Sequence, residues 1–269
     1  MLEALLETER LGRARSHANE IWDCIGSTNT RAAELASEGA PEGVFVVARQ
    51  QTAGRGRLGR TWVSPPDAGL YISVILRPTT PPYKLPVITL ACGVAAAEAI
   101  ASVSRVRVGL KWVNDLIVDG RKLGGILAEM PANTATSALP AAIVVGIGIN
   151  VELDPDQIPP DLKDTITWLS RIDCQPPDRN LLAARLLTRV EKVYDQMLAG
   201  EISEILDRWR ALSVTLGKNV RTESSGKTIE GTAIDIDDSG ALIVETSTGI
   251  RQTLHAGEIS IRTPEGRYC

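Results

Sequence analysis

Gly54-Arg55-Gly56-Arg57-Leu58-Gly59-Arg60-Thr61-Trp62 sets three arginines and three glycines within seven residues, with a tryptophan two positions further on. Glycine lets backbone N–H groups come close to anionic oxygens, and each arginine presents a planar fork of donors that keeps its charge. Such a loop can hold a polyanion; an exposed basic turn is the plain alternative. It lacks the GxxxxGK[ST] order of a P-loop. Outward from the loop, residues 43–49 are β-branched and apolar and read as a buried strand leading in. Residues 70–77 read as the strand leading out, so the loop is pinned at both ends.

Further upstream, Leu2, Leu5, Leu6 and Leu11 predict a short amphipathic helix. Ser27, Thr28 and Asn29 supply N-cap candidates for a second helix through Ala32, Ala33, Leu35 and Ala36, which Gly39 ends. Downstream, a proline-rich turn over 78–82 precedes an alanine-rich helix over 85–102, and strands are expected at 106–111, 116–118, 124–129 and 142–151. Asp119-Gly120 is a hairpin signal that puts Asp115 and Lys122 on adjoining strands turning back toward each other. Residues 154–164 form a polar, proline-containing loop, and 178–210 hold two helices broken at Gly200. Helices and hairpins without a βαβ rhythm make the class α+β. From about residue 216 the texture changes to short strands, carrying Val220, Ile229, Ala233, Ile243, Leu254, Ile259 and Ile261. Ser225-Gly226, Ser239-Gly240 and Thr248-Gly249 separate them, which indicates a small β-barrel.

A chain of 269 residues can be one large domain or a domain plus a small module. A net charge of −4 argues against sequence-independent nucleic-acid binding by the whole surface, so the arginines around residue 57 are a local feature. Cys24, Cys92, Cys174 and Cys269 form no CxxC, which fits a reducing cytosol and a cytoplasmic protein. His17 and His255 are the only histidines, too few for a His-rich metal site or an obvious Ser-His-Asp triad. Residues 1–16 lack the apolar core of a signal peptide, and the apolar stretch 87–101 carries Glu98 and is short for a bilayer, so no membrane association is expected.

A second cluster reads Lys111-Trp112-Val113-Asn114-Asp115, then Lys122-Leu123-Gly124-Gly125-Ile126-Leu127-Ala128-Glu129. Together with the arginine loop it resembles the biotin protein ligases, whose adenylate-binding loop reads GRGRxGRxW and whose second signature reads KWPND followed by KxxGIL. Val113 stands where proline is usual in that family. Further matches fall in family order: Ser27-Thr28-Asn29, Gln51, Gly146-Ile147-Gly148-Ile149-Asn150 and Glu258-Ile259-Ser260-Ile261-Arg262. The resemblance implies a catalytic domain with an SH2-like mixed sheet over residues 1–213 and an SH3-like barrel over 214–269. It also implies a two-step reaction. Biotin's carboxylate attacks the α-phosphorus of ATP to give biotinyl-5′-adenylate and pyrophosphate, and a lysine of a biotin carboxyl carrier domain then attacks the mixed anhydride. Both steps build negative charge around one phosphorus or its ester oxygen, which fixed cations stabilise.

By the same resemblance Lys122 contacts the biotin carboxylate and the α-phosphate, and Arg57, Arg60 and Lys111 complete the catalytic cations. A solvated lysine beside a turn is the plain reading of Lys122 alone. Arg57 is assigned to retaining the adenylate and Arg60 to the phosphates. Ser27, Thr28, Asn29 and Gln51 correspond to the set that grips biotin's ureido ring, and a neutral urea calls for such neutral donors and acceptors. Gly54, Arg55, Arg57, Lys122, Gly125, Leu127, Gly146 and Gly148 complete the biotin contacts. The ATP set is Arg57, Arg60, Trp62, Lys111, Asn114, Asp115, Lys122, Asn150 and Trp168. Trp62 packs against ligand or serves as a core residue, and Trp168 lies where an aromatic ring stands near adenine. Asp115 and Asn150 correspond to groups associated with Mg²⁺, an ion that takes hard oxygen ligands and keeps several waters; each alone also suits a turn or cap.

Two alternatives share parts of this pattern. A lipoate-protein ligase would share fold and adenylation logic, and a non-enzymatic anion-binding module would explain the arginine loop but not the Lys122 and Asp115 segments. With only 26 residues ahead of Ser27, too few for a winged helix-turn-helix, no repressor function and no specific DNA are expected. Because family members pair through sheet edges, a homodimer is left open.

Overall fold

The computed structural model describes residues 2, 5–12, 18–78, 86–132, 134, 141–173, 175–224 and 227–255. The arginine loop joins β2 (Phe45–Gln51) to β3 (Gly69–Leu76), as expected. Gly54, Gly56 and Gly59 have GxGxxG spacing, but the chain returns from them as an antiparallel strand instead of opening a helix, which removes the dinucleotide-binding context. These two strands sit in a seven-stranded mixed sheet ordered β1-β2-β3-β7-β6-β5-β4. Its other members are β1 (Glu20–Ile25), β4 (Gly109–Lys111), β5 (Asp115–Val118), β6 (Arg121–Glu129) and β7 (Ile143–Asn150). Only β1 and β2 run parallel; the remaining neighbours are antiparallel.

Alternation along the strands divides the sheet into two faces. Leu70, Ile72, Val74 and Leu76 of β3, with Ile143, Val145, Ile147 and Ile149 of β7, belong to the main core. That core includes α2 (Pro86–Val103), α4 (Arg179–Ala199) and α5 (Ile202–Leu212). On the other face Ile75 and Val144 pack with Val44 and Val46 against Ala32 and Ala36 of α1 (Thr28–Ser37). One short helix covers only part of that face, and the remainder holds the site.

The alanine-rich α2 is apolar all round because it is enclosed, with Ala91, Ala95, Ala96 and Ala99 almost fully buried. At 18 residues it is long and apolar enough by composition to cross a membrane, contrary to the shorter stretch read from sequence; its burial inside the fold makes it a core helix. The Asp119-Gly120 hairpin forms between β5 and β6, with β6 beginning at Arg121, three residues earlier than expected. β4 begins at Gly109 instead of residue 106. Sequence reasoning missed β1 altogether. Glu20 and Asp23 break its apolar run, and Ile21 and Trp22 are exposed on an edge strand, so burial left no pattern to read. A single helical turn, α3 (Leu169–Ile172), was also not anticipated.

Residues 6–12 form neither helix nor strand, although Leu2, Leu6 and Leu11 are buried as their spacing suggested. The Glu191 carboxylate holds this segment by accepting from the backbone N–H groups of Glu9, Arg10 and Leu11 at 2.6–2.8 Å. After α5 a four-stranded antiparallel sheet, ordered β11-β10-β9-β8, packs onto the main core. It comprises β8 (Asn219–Ser224), β9 (Lys227–Ile236), β10 (Leu242–Glu245) and β11 (Arg251–Leu254). Gly240 and Gly249 adopt positive φ in the turns where glycine was expected. Residues 79–82 of the proline-rich turn expected over 78–82, the Ser225-Gly226 turn, Ile259, Ile261 and the 258–262 motif lie outside the described residues.

Candidate active site

The last strand of the core pair, β7, reads Ile-Val-Val-Gly-Ile-Gly-Ile-Asn. Its isoleucines face the core, so Gly146, Gly148 and Asn150 fall on the uncovered face. Both glycines are required by close approach. A Cβ on Gly146 would sit 1.9 Å from Asn29 Oδ1, and one on Gly148 would sit 2.7 Å from Trp62 Nε1. Above these glycines the N-terminus of α1 and the arginine loop border a first cavity of about 470 Å³, counting the solvent at its mouth. Ser27 caps α1 through Thr30 N and also lines this cavity.

The far wall of the first cavity is a network of neutral polar groups. Gln51 Oε1 accepts from Thr28 N at 2.9 Å and from Thr28 Oγ1 at 3.1 Å, while Gln51 Nε2 donates to Ser64 Oγ at 2.8 Å. Ser73 Oγ donates to Asn29 Oδ1 at 2.6 Å and lies 2.8 Å from Thr28 Oγ1. Asn29 Nδ2 reaches Leu127 O and Glu129 Oε2. These bonds fix which amide atom of Asn29 is donor and which is acceptor.

A second, larger cavity of about 1020 Å³, counting the solvent at its mouth, lies beside the first. Lys111, Asp115 and Asn150 line it with Arg60, Leu162, Thr165 and Ile166. Gly56, Arg57, Trp62, Asn114 and Lys122 line both cavities and so stand at their junction. Lys122 Nζ is 2.6 Å from Asp115 Oδ1 and 5.5 Å from the centre of the Trp62 ring. Its backbone is clamped as well, donating to Thr165 O and accepting from Thr167 N. Arg57 donates to Asn114 Oδ1 at 3.2 Å. Burial lowers the Arg57 pKa, the attraction of Asp115 opposes that shift, and the like charge of Arg60 adds to it. The junction therefore concentrates positive charge in a partly desolvated place, where it acts strongly on an anion.

Most residues singled out from the sequence are brought together. Ser27, Thr28, Asn29, Gln51, Arg55, Gly125, Leu127, Gly146 and Gly148 line the first cavity, and Lys111, Asp115 and Asn150 the second. Two fall elsewhere. Gly54 lines neither cavity; it lets the loop close on itself, because a Cβ there would meet Trp62 O at 2.3 Å. Trp168 also lines neither; it packs by Ala68, Leu153 and Ile158 with Arg171 over its ring, and Ile166 and Leu162 form the apolar wall instead. Trp62 is partly buried against Gly148, and its buried indole N–H has no hydrogen-bond partner among the described residues. Sequence reasoning overlooked Tyr71, Ile72 and Ser73 of β3, Thr165 and Ile166, and Glu129. The alternation of β3 was legible, but nothing in it marked Ser73 as facing Asn29.

Asp115 and Asn150 share the second cavity, and Asn150 Nδ2 donates to Thr167 O at 3.0 Å. That bond assigns the amide nitrogen to the loop and leaves the oxygen for a ligand. Among the described residues no group of three His, Cys, Asp or Glu could hold a metal. One carboxylate and one amide oxygen suit Mg²⁺ only when phosphates and water complete the shell, which is how that ion is commonly bound.

Residues 21–150 match the Biotin/lipoate A/B protein ligase family, and residues 215–262 match the Biotin protein ligase C terminal domain. A Bifunctional ligase/repressor BirA of Bacillus subtilis is 38% identical over 251 residues, covering 93% of this chain and 75% of that protein. The Biotin--[acetyl-CoA-carboxylase] ligase of Mycobacterium tuberculosis is 37% identical over 240 residues, covering 87% and 85%. The chain belongs to the biotin protein ligase family. It is accordingly a biotin ligase enzyme, with an α+β catalytic sheet followed by an SH3-like domain. Among solved structures, the biotin protein ligase from Aquifex aeolicus in complex with biotin and ATP superposes with a TM-score of 0.78 at 29% identity. The match covers 91% of this chain and 99% of that one. In this biotin protein ligase Val113, at the usual proline position, is buried, and the Trp112–Val113 peptide is cis.

Proposed function

We propose that the enzyme adenylates biotin at the junction of the two cavities and then passes biotin to a lysine of a biotin carboxyl carrier domain. The observation that carries this reading is the position of Lys122 and Arg57, which line both cavities at once. Biotin occupies the first cavity. Its ureido ring meets Ser27, Thr28, Asn29 and Gln51, and its valeryl chain runs over Gly146, Gly148 and Leu127 toward the junction. ATP occupies the second cavity, with the adenine against Ile166 and Leu162 and the phosphates toward Arg60 and Lys111. Lys122 then touches the carboxylate and the α-phosphate together. Alignment of nucleophile and electrophile, and stabilisation of the charge that grows on the phosphoryl oxygens, both come from this one cation.

Asp115 and Asn150 would hold Mg²⁺ beside the phosphates, where the ion supplies further charge neutralisation. The loop Gly54 to Trp62 covers the product, and Arg57 keeps the anhydride from escaping into water. Lys111, buried at the end of β4, pairs in register with Asp115 and so would act on the phosphates or the acceptor amine from beside that carboxylate. The same reading divides the chain into a catalytic part, 1–213, and the SH3-like part, 214–269. The repressor role in the names of the Bacillus relatives is said of those proteins, and the activity proposed for this chain is ligation.

Lipoate is the competing acid. The neutral network at the end of the first cavity favours biotin, because a urea offers two N–H donors and a carbonyl, whereas a dithiolane offers none. The deciding experiment is pyrophosphate release with ATP, Mg²⁺ and either acid, with and without a carrier domain. Release that depends on lipoate and ignores biotin would overturn the assignment.

A further inference from the structure

Glu129 ends β6 two residues beyond Leu127 of the first cavity's lining, and its two oxygens serve two different parts of the site. Oε1 is 2.6 Å from Arg55 Nη2 on the arginine loop, and Oε2 accepts from Asn29 Nδ2 at 3.0 Å. One carboxylate therefore touches both the cover of the cavity and the amide at its end. We propose that Glu129 is a positioning residue that couples closure of the arginine loop to the orientation of Asn29, and so sets how tightly biotin is retained. This rests on the reading of the first cavity as the biotin site.

The two arms differ in strength. The Arg55 and Glu129 side chains are 48% and 30% exposed, so water screens their pairing and the ion pair alone contributes little. Asn29 is buried, and its amide is held by Glu129 and Leu127 O on the nitrogen side and by Ser73 on the oxygen side. Removing the carboxylate takes away one of the two acceptors on the amide nitrogen and loosens the orientation offered to a ureido group, a larger loss than that of the exposed pair. Glutamine at 129 can still accept from Asn29 but cannot form the ion pair, which separates the arms.

The test measures biotin affinity and the KM for ATP in Glu129→Gln and Glu129→Ala, together with adenylate release at low and high salt. Expected are a weakening of biotin binding by about threefold in Glu129→Gln and about tenfold or more in Glu129→Ala. The KM for ATP should stay within about twofold in both. Wild-type adenylate release should speed up between about 50 and 500 mM salt, and that dependence should be weaker in Glu129→Gln. Unchanged biotin affinity in Glu129→Ala, or equal losses for biotin and ATP, would overturn the proposal. If Glu129→Ala does not fold, unaltered salt dependence in the isosteric Glu129→Gln would do the same. Failure of the wild type to bind biotin at all would instead strike the assignment of the cavity.

Discussion

Lys122 Nζ and Asp115 Oδ1 stand 2.6 Å apart on adjoining strands, with side chains only 20% and 12% exposed. The hairpin between β5 and β6 makes this pair, and the bonds from the Lys122 backbone to Thr165 and Thr167 hold it against the loop. A cation fixed in this way pays little orientational entropy when an anion arrives, which is what alignment of a carboxylate with a phosphate requires. Lys122→Ala should therefore lower single-turnover adenylate formation by about a thousandfold, the scale of a lost oxyanion stabiliser. Its circular dichroism and melting should stay close to wild type. Normal adenylate formation in the folded variant would remove Lys122 from the chemistry.

Arg57 offers a different outcome, because retention and synthesis separate there. Arg57→Gly should still form the anhydride but release it about tenfold faster or more, since a charge-assisted contact in a desolvated place is lost. Escaped adenylate is an activated acyl donor and should label lysines of bystander proteins in proportion to their concentration. Asn114→Ala, which deprives Arg57 of its acceptor, should move in the same direction by a smaller factor. Streptavidin blots of mixed-protein reactions, beside the adenylate off-rate, decide it; carrier-only labelling by Arg57→Gly would mark Arg57 as an ordinary arginine.

At Gly146 an added methyl group would collide with the Asn29 amide and push it out of its bonds to Ser73, Leu127 O and Glu129. Gly146→Ala should lower the melting temperature for that reason, and its displaced Asn29 should weaken biotin binding by about tenfold to a hundredfold. ATP binding should persist. Calorimetric titration with each substrate separately reads the difference, and a matching fall in ATP affinity would show that the two cavities are not independent sites.

The SH3-like part reaches the second cavity through Trp112. Thr215 Oγ1 accepts from Trp112 N at 2.9 Å, Gly240 O accepts from Trp112 Nε1 at 2.9 Å, and both Thr215 and Trp112 are buried. Thr215→Val keeps the shape but leaves a buried N–H unpaired, at a cost of about 1–3 kcal/mol. Thermal unfolding should shift down by about 2–4 °C for each kcal/mol, and Thr215→Ser should restore most of it. Equal melting of the valine and wild-type proteins would show that this bond contributes nothing net.

Much of the site was legible along the chain because it follows local periodicity. The alternation in Gly146-Ile147-Gly148-Ile149-Asn150 states which side chains leave the core face, and Asp119-Gly120 states where β5 turns into β6. Glycines flanked by arginines state that a loop can approach an anion. Such signals come from residues a few positions apart on one element, and backbone geometry translates them directly. The partnerships Arg55–Glu129 and Trp112–Thr215 join residues 74 and 103 positions apart, and no periodicity encodes them. They arise because the sheet order places β6 beside β7 and brings the last strands onto the core. The edge strand β1 escaped notice for a related reason, since exposure frees its side chains from any apolar pattern. Strand order likewise decided that Arg57 and Lys122, distant in sequence, stand at one junction between two cavities: residue types fix what a group can do, whereas long-range packing selects which groups act on the same atom.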